Sequence, residues 1–117
     1  MNIVIEHGRL VRDPVITTTA SGTSRARFTI AVDRPAKAGE KKQADFINCI
    51  AWGKTAEFIA QYFPKGKEIL AEGRVQTGSY TDNDGSKHYT TDIVINNVEF
   101  CGNKGGENAA ADEVPFF

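Results

Sequence analysis

Residues 1–102 are predicted to form an all-β domain carrying one helix. Three observations predict it. Segments rich in β-branched and alternating apolar residues occupy most of this stretch. Turn residues punctuate them, as in Arg12-Asp13-Pro14, Ser21-Gly22 and Asp82-Asn83-Asp84-Gly85. A single segment, Lys54–Phe63, spaces its apolar residues as a helix would. At 117 residues and 12.8 kDa the chain has room for one domain and would cramp a two-domain enzyme.

The first strand is expected over Asn2–Leu10, from Ile3, Val4, Ile5 and Leu10. Val15–Thr19 is β-branched and leads into the Ser21-Gly22 turn. Arg25–Asp33 alternates, with Phe28, Ile30 and Val32 on one face and Arg27, Thr29, Ala31 and Asp33 on the other. Arg34–Gln43, with Pro35, Gly39 and four basic residues, is an exposed loop. Asp45–Trp52 is a strand setting Phe46, Asn48, Ile50 and Trp52 opposite Ile47, Cys49 and Ala51. Lys54–Phe63 follows as the helix, stopped by Pro64 and Gly66 and too short to stand without docking Phe58, Ile59 and Phe63 on the sheet. Glu68–Tyr80 and Lys87–Phe100 form a long hairpin around the Asp82–Gly85 turn. Five principal strands with a helix between the third and fourth is the plan of a five-stranded Greek-key barrel, the OB-fold; an open sheet packed on a helix is the rival.

Bulk properties exclude more than they assign. The hydrophobic and charged fractions, 40% and 25%, are those of a soluble globular protein. No run approaches the roughly 18 apolar residues of a membrane span, and Met1-Asn2-Ile3-Val4 does not start like a signal peptide. Cys49 and Cys101 cannot make a disulfide framework or a four-ligand zinc site, so a cytosolic, reduced protein is expected. The net charge of −1 divides unevenly, with +1 on residues 1–102 and −2 on residues 103–117. Asn103–Ala111 lacks large apolar side chains and is expected to be a flexible linker. Beyond it, Asp112, Glu113, Val114, Pro115, Phe116 and Phe117 suit either a short peptide held by another protein or a tail tucking its own rings onto the domain.

No catalytic or metal constellation emerges from spacing. Gly53-Lys54-Thr55 ends like a phosphate-binding loop, but Asn48 stands where the first glycine belongs. Asp82–Gly85 begins like a calcium loop, yet Ile93 occupies the place of the bidentate Glu. His7 and His88 have no partner at ligand or triad spacing, and Glu68 and Glu72 are expected to be solvated. The expectation is therefore a non-enzyme without cofactor or metal. The positive pattern is aromatic and basic. Phe46 and Trp52 share a strand face, Tyr80 ends the next strand, and Lys54, Arg34, Lys37, Lys41, Lys42, Arg74 and Lys87 lie nearby in the chain. Cations that track phosphates beside aromatic faces that stack bases are how single-stranded nucleic acid is held. Periodicity alone leaves open whether Phe46 and Trp52 stack bases or pack in the core.

These residues resemble the bacterial-type single-stranded DNA-binding proteins (SSB), a homotetrameric OB-fold family. The resemblance runs through Gly8-Arg9-Leu10-Val11-Arg12-Asp13-Pro14, Phe28-Thr29-Ile30-Ala31-Val32 and, most specifically, Asp45–Glu57. It continues through Lys65-Gly66, Glu72-Gly73-Arg74 and Tyr80–Gly85 to a tip similar to the family's acidic, Pro-Phe-ending one. It implies that Phe46, Trp52 and Tyr80 stack bases and that Arg9, Arg34, Lys54, Arg74 and Lys87 meet phosphates. It further implies that the tip recruits replication, recombination and repair proteins, in a cytoplasmic, nucleoid-associated homotetramer. Three departures stand out: Pro35 and Ala36 where the family has a further aromatic, Gln76, Gly78 and Ser79 where basic residues are common, and a short linker that suits a phage-encoded or accessory member. Two other classes stay open: a primosome-like OB-fold interaction module with weak DNA binding, and a cold-shock-like RNA binder.

Overall fold

The computed structural model describes residues 1–101; the expected linker and tip, 103–117, lie outside the described residues. In chain order the elements are β1 (Val4–Leu10), β2 (Val15–Thr18), β3 (Ser24–Asp33), β4 (Ala44–Trp52), α1 (Gly53–Tyr62), β5 (Glu68–Thr81) and β6 (Lys87–Phe100). They form one sheet in the order β1-β5-β6-β4-β3-β2, and β1 also pairs with β3. That extra pairing closes five strands into the expected Greek-key barrel and leaves β2 as an outer strand on β3. Val15–Thr18 therefore adds a sixth strand to the five principal ones. All pairings are antiparallel except β4 with β6, which meet at Cys49↔Ile93 and Ile50↔Val94.

Inward-facing residues of the barrel and one face of α1 make the core. Leu10, Phe28, Ile30, Ile59, Phe63 and Ile69 are its large buried side chains, with Ala26, Ala51, Ala56 and Ala71 between them. The helix begins one residue earlier than its apolar spacing suggests, directly after Trp52, and Phe63 becomes its C-cap. Phe63 stays fully buried there, its ring stacked on Phe100 at 4.9 Å and 11°. Ser24 Oγ donates to Glu57 Oε2 at 2.8 Å, tying the start of β3 to the helix. Asn2, expected inside the first strand, instead uses its side-chain amide as a strand mimic. Its Nδ2 donates to Val75 O at 2.9 Å, and its Oδ1 accepts from Val75 N at 2.8 Å.

Two close approaches set the barrel's dimensions. A Cβ at Gly8 would lie 2.3 Å from Ala31 O, beside the Arg9↔Ala31 and Leu10↔Ile30 pairs that close the barrel. A Cβ at Gly73 would lie 2.0 Å from Val94 O. Gly73 sits at the irregularity between β5 and β6, where Glu72 pairs with Asn97 but Gly73 pairs with Ile95. Asn96 is the extra residue of this β-bulge. Past it, the hairpin continues to Thr81↔Lys87.

Backbone contact, unlike contact with a flexible side chain, cannot give way locally. Gly73→Ala is expected to lower stability by about 1–3 kcal/mol in urea unfolding, as overpacked sites do. Gly78→Ala, whose Cβ would meet only Thr90 Oγ1 at 3.1 Å, should cost clearly less.

Candidate nucleic-acid interface

Strand register decides which side chains share the outer face of the barrel, because residues paired across a ladder point the same way. On β3 and β4 the pairs Arg25↔Trp52, Arg27↔Ile50, Thr29↔Asn48 and Ala31↔Phe46 all lie on this face. On the hairpin, Arg74↔Val94, Gln76↔Asp92, Gly78↔Thr90 and Tyr80↔His88 continue it. Ile50↔Val94 joins the two halves.

Several rows of side chains therefore run across the strands. One reads Arg27, Ile50, Val94, Arg74: a cation at each end of a narrow apolar strip. Another reads Arg9, Ala31, Phe46, with neighbouring strands about 5 Å apart. Phe46, Trp52 and Tyr80 are 66%, 42% and 57% exposed, so none of the three rings belongs to the core. Asn48 lies between Phe46 and Trp52 on β4, accepting from Thr29 Oγ1 at 3.1 Å.

Two contacts that spacing does not disclose orient these rings. The Arg25 guanidinium lies 6.0 Å from the Trp52 ring centroid, within cation–π range. His88 stacks on Tyr80 at 5.0 Å and 22°, and its Nε2 is 2.6 Å from Asp82 Oδ2. Asp82 Oδ1 also accepts from the backbone N–H groups of Asp84 and Ser86, so the turn is the side-chain-bonded one the sequence predicts. Arg25 and Arg27 join the cationic set only through register. Their alternation with Ala26 and Phe28 marks an outward face, but not which strand lies next to it.

The expected phosphate-binding residues separate into distinct settings. Arg74 is exposed opposite Val94, with Nη1 3.5 Å from Asn96 Oδ1. Lys54 is exposed at the start of α1, beside a cleft it lines with Thr55, Phe58, Asn97 and Val98. Arg9 is exposed, its Nη2 lying 3.7 Å from Glu68 Oε1. Arg34 is already engaged. Its Nε and Nη2 donate to Asp45 Oδ1 at 2.9 and 2.6 Å, and its Nη1 donates to Gln43 Oε1 at 3.2 Å. Lys87 pairs with Thr81 and so faces away from Tyr80, with its ammonium 5.5 Å over the ring of Tyr89, which is itself 76% exposed.

The acidic expectation needs correction. Glu68 is not solvated: its side chain is 17% exposed and holds His7 Nε2 at 2.5 Å. Nor is His7 without partners, because strand pairing brings distant residues beside it that sequence spacing keeps apart. Among the described residues no helix is long and apolar enough to cross a membrane.

Two carboxyl groups are held below the usual range. Asp45 is lowered by the Arg34 hydrogen bond, which also raises Arg34. Asp82 is lowered chiefly by the bond to His88 and then by backbone N–H groups of its turn. A carboxyl whose folded value is depressed adds stability above its unfolded value, near 3.9, and loses it as pH falls through the lower folded value. NMR titration should therefore place both midpoints below the ordinary aspartate value. The Arg34–Asp45 and Asp82–His88 contacts should open only on further acidification.

Residues 1–101 match the Single-strand binding protein family. The chain is 49% identical to a single-stranded DNA-binding protein of Clostridium perfringens over 91% of this chain and 69% of that one. It is 48% identical to one of Fusobacterium nucleatum, over 86% of this chain and 66% of the relative. A Halalkalibacterium halodurans single-stranded DNA-binding protein is 38% identical across 100% of this chain and 70% of its own length. The chain thus spans about two thirds of the length of these relatives.

Proposed function

Since the chain belongs to the single-strand binding protein family, we propose that it binds single-stranded DNA without sequence preference across the outer face of the barrel. The observation that carries this reading is the placement of Phe46, Trp52 and Tyr80, all exposed, on one register-connected face flanked by Arg9, Arg25, Arg27 and Arg74. Every base has a π-face, so stacking holds unpaired strand regardless of sequence, at about 1–3 kcal/mol per base. Arginines at the ends of the rows meet phosphates, and the counterions they release make affinity fall as salt rises. Duplex DNA cannot use this surface, because its bases are already stacked on each other. Binding is passive: it shields the strand from nucleases and opposes re-pairing, which suits replication, recombination and repair.

The phosphate contacts are not equal. Arg74 and Lys54 are open to a strand crossing the rings. Arg34 must leave Asp45 before it can serve, and Lys87 reaches only DNA that turns around the hairpin onto the Tyr89 side. Pro35 and Ala36 add no ring at the loop, where they border a cleft with Arg34, Glu40, Lys41 and Gln43. The footprint per subunit is therefore smaller than in relatives with a fourth aromatic. Residues 1–102 are the binding domain in this reading. In residues 103–117, Asp112, Glu113, Val114, Pro115, Phe116 and Phe117 recruit partners, their acids meeting a basic rim and their rings an apolar floor. Assembly into a homotetramer lengthens the path available to the strand.

Oligo-dT titration followed through Trp52 fluorescence, with particle mass measured on the same sample, tests the reading. Quenching with salt-sensitive affinity is expected. Its absence would favour the primosome-like interaction module, and preference for RNA in competition would favour the cold-shock-like class. Trp52→Ala should weaken binding by about 1–3 kcal/mol, with no change of fold by circular dichroism. Arg74→Ala should reduce the salt slope by about one. Asp45→Asn, which frees Arg34, should strengthen binding at low salt; unchanged affinity would place Arg34 outside the interface.

A further inference from the structure

We propose that His7, Glu68 and Cys101 form a binding site for a borderline divalent metal, Zn2+ foremost, that fastens the chain just beyond β6 to the barrel wall. The donors come from β1, from the first residue of β5 and from the residue after β6. His7 Nε2 lies 2.5 Å from Glu68 Oε2, and one donor atom from each of the three residues falls within 4.8 Å of the other two. Two of the three stand on paired backbone, through His7↔Leu70, Arg9↔Glu68 and Ile69↔Phe100, which also brings the residue after Phe100 close to Glu68.

Glu68 is poised for the role. Arg9 Nη2 approaches its Oε1 at 3.7 Å, leaving Oε2 on the His7 side, and this support from outside the ligand set resembles how metal-binding carboxylates are oriented. The adjoining cleft, bounded by His7, Gly8, Arg9, Ala31, Asp33 and Glu68, has room for water to complete the coordination. Imidazole nitrogen, carboxylate oxygen and thiolate sulfur together suit Zn2+, whereas Mg2+ and Ca2+ call for oxygen alone. Zinc bonds of about 2.0–2.3 Å require ligand atoms roughly 3.3–3.7 Å apart, so shifts of about 1 Å in the side chains convert the cluster. On binding, His7 coordinates through Nε2 as a neutral imidazole with its proton on Nδ1, Glu68 coordinates as carboxylate, and the thiol proton of Cys101 passes to solvent as the Zn–S bond forms; no electron is transferred. The ion then holds Cys101, the residue after β6, against β1 and β5.

The site shares Arg9 with the proposed DNA face, so it is tested with no DNA present. Fully reduced, metal-free full-length protein is titrated with Co2+ under anaerobic conditions. One equivalent per chain should bind with a sulfur-to-cobalt charge-transfer band, and Zn2+ should displace it. Cys101→Ser should abolish the band. His7→Ala and Glu68→Gln should each weaken binding at least about tenfold. Cys49, buried in the core, provides the internal control, and Cys49→Ala should leave the band intact. Thermal melts without metal establish that each variant folds, and added Zn2+ should raise the midpoint of the unaltered protein but not of Cys101→Ser. A missing thiolate band, a band that survives in Cys101→Ser, or unchanged affinity in any of the three ligand variants overturns the site.

Discussion

A single extra residue on β6 governs the outer surface of this protein. Val98 and Phe100 face the core at one end of the strand, and Ile93 and Ile95 face it further along. Strict alternation cannot bury both sets, because they occupy opposite parities. The bulge at Asn96 resets the phase, so that Ile93, Ile95 and Val98 are all buried and Phe100 packs partly buried against them. The same reset turns Val94, Asp92, Thr90 and His88 outward, so that His88 meets Tyr80 across the ladder. Gly73 makes the bulge possible, since Val94 O occupies the space a side chain would need. Without this defect the hairpin would turn its other face toward the side of the barrel that carries Phe46 and Trp52.

Electrostatics follows from the same geometry. A chain with net charge −1 has no general attraction for a polyanion. The register gathers Arg25 and Arg27 from β3, Arg9 from β1 and Arg74 from β5 onto one face, while the loop Arg34 is neutralised by Asp45. What matters is local: four arginines bracketing an apolar strip and exposed rings. Their planar guanidiniums suit phosphate and aromatic faces alike, as Arg25 over Trp52 illustrates.

The hairpin serves as an arm whose turn and ring are mechanically joined. Beyond Gly73 it pairs with neither β1 nor, past Ile93, with β4, so its outer half relies on its own ladder among the described residues. Asp82 closes the turn through Asp84 and Ser86 and grips His88, which in turn lies against Tyr80. One face of the tyrosine ring is thereby supported, while the residue as a whole stays exposed. Lys87 and Tyr89 form a second aromatic–cation pair on the reverse face, at the edge of any path that wraps the arm.

Much of this was written in local sequence. Alternation over Arg25–Asp33 and Asp45–Trp52, the apolar spacing of Lys54–Phe63 and the Asp82–Gly85 turn determine strands, helix and hairpin to within a residue or two, because these depend on chemistry a few positions apart. The sharing of one strand face by Phe46 and Trp52 was legible for the same reason. Other features depend on which strand lies beside which, and in what phase. Local sequence could not place Arg25 on Trp52, His88 on Tyr80, Lys87 behind the arm, Arg34 in the grip of Asp45, or His7 beside Glu68 and Cys101. Periodicity tells which residues face together along one strand; only barrel closure and the Asn96 bulge decide which strands' faces become a common surface.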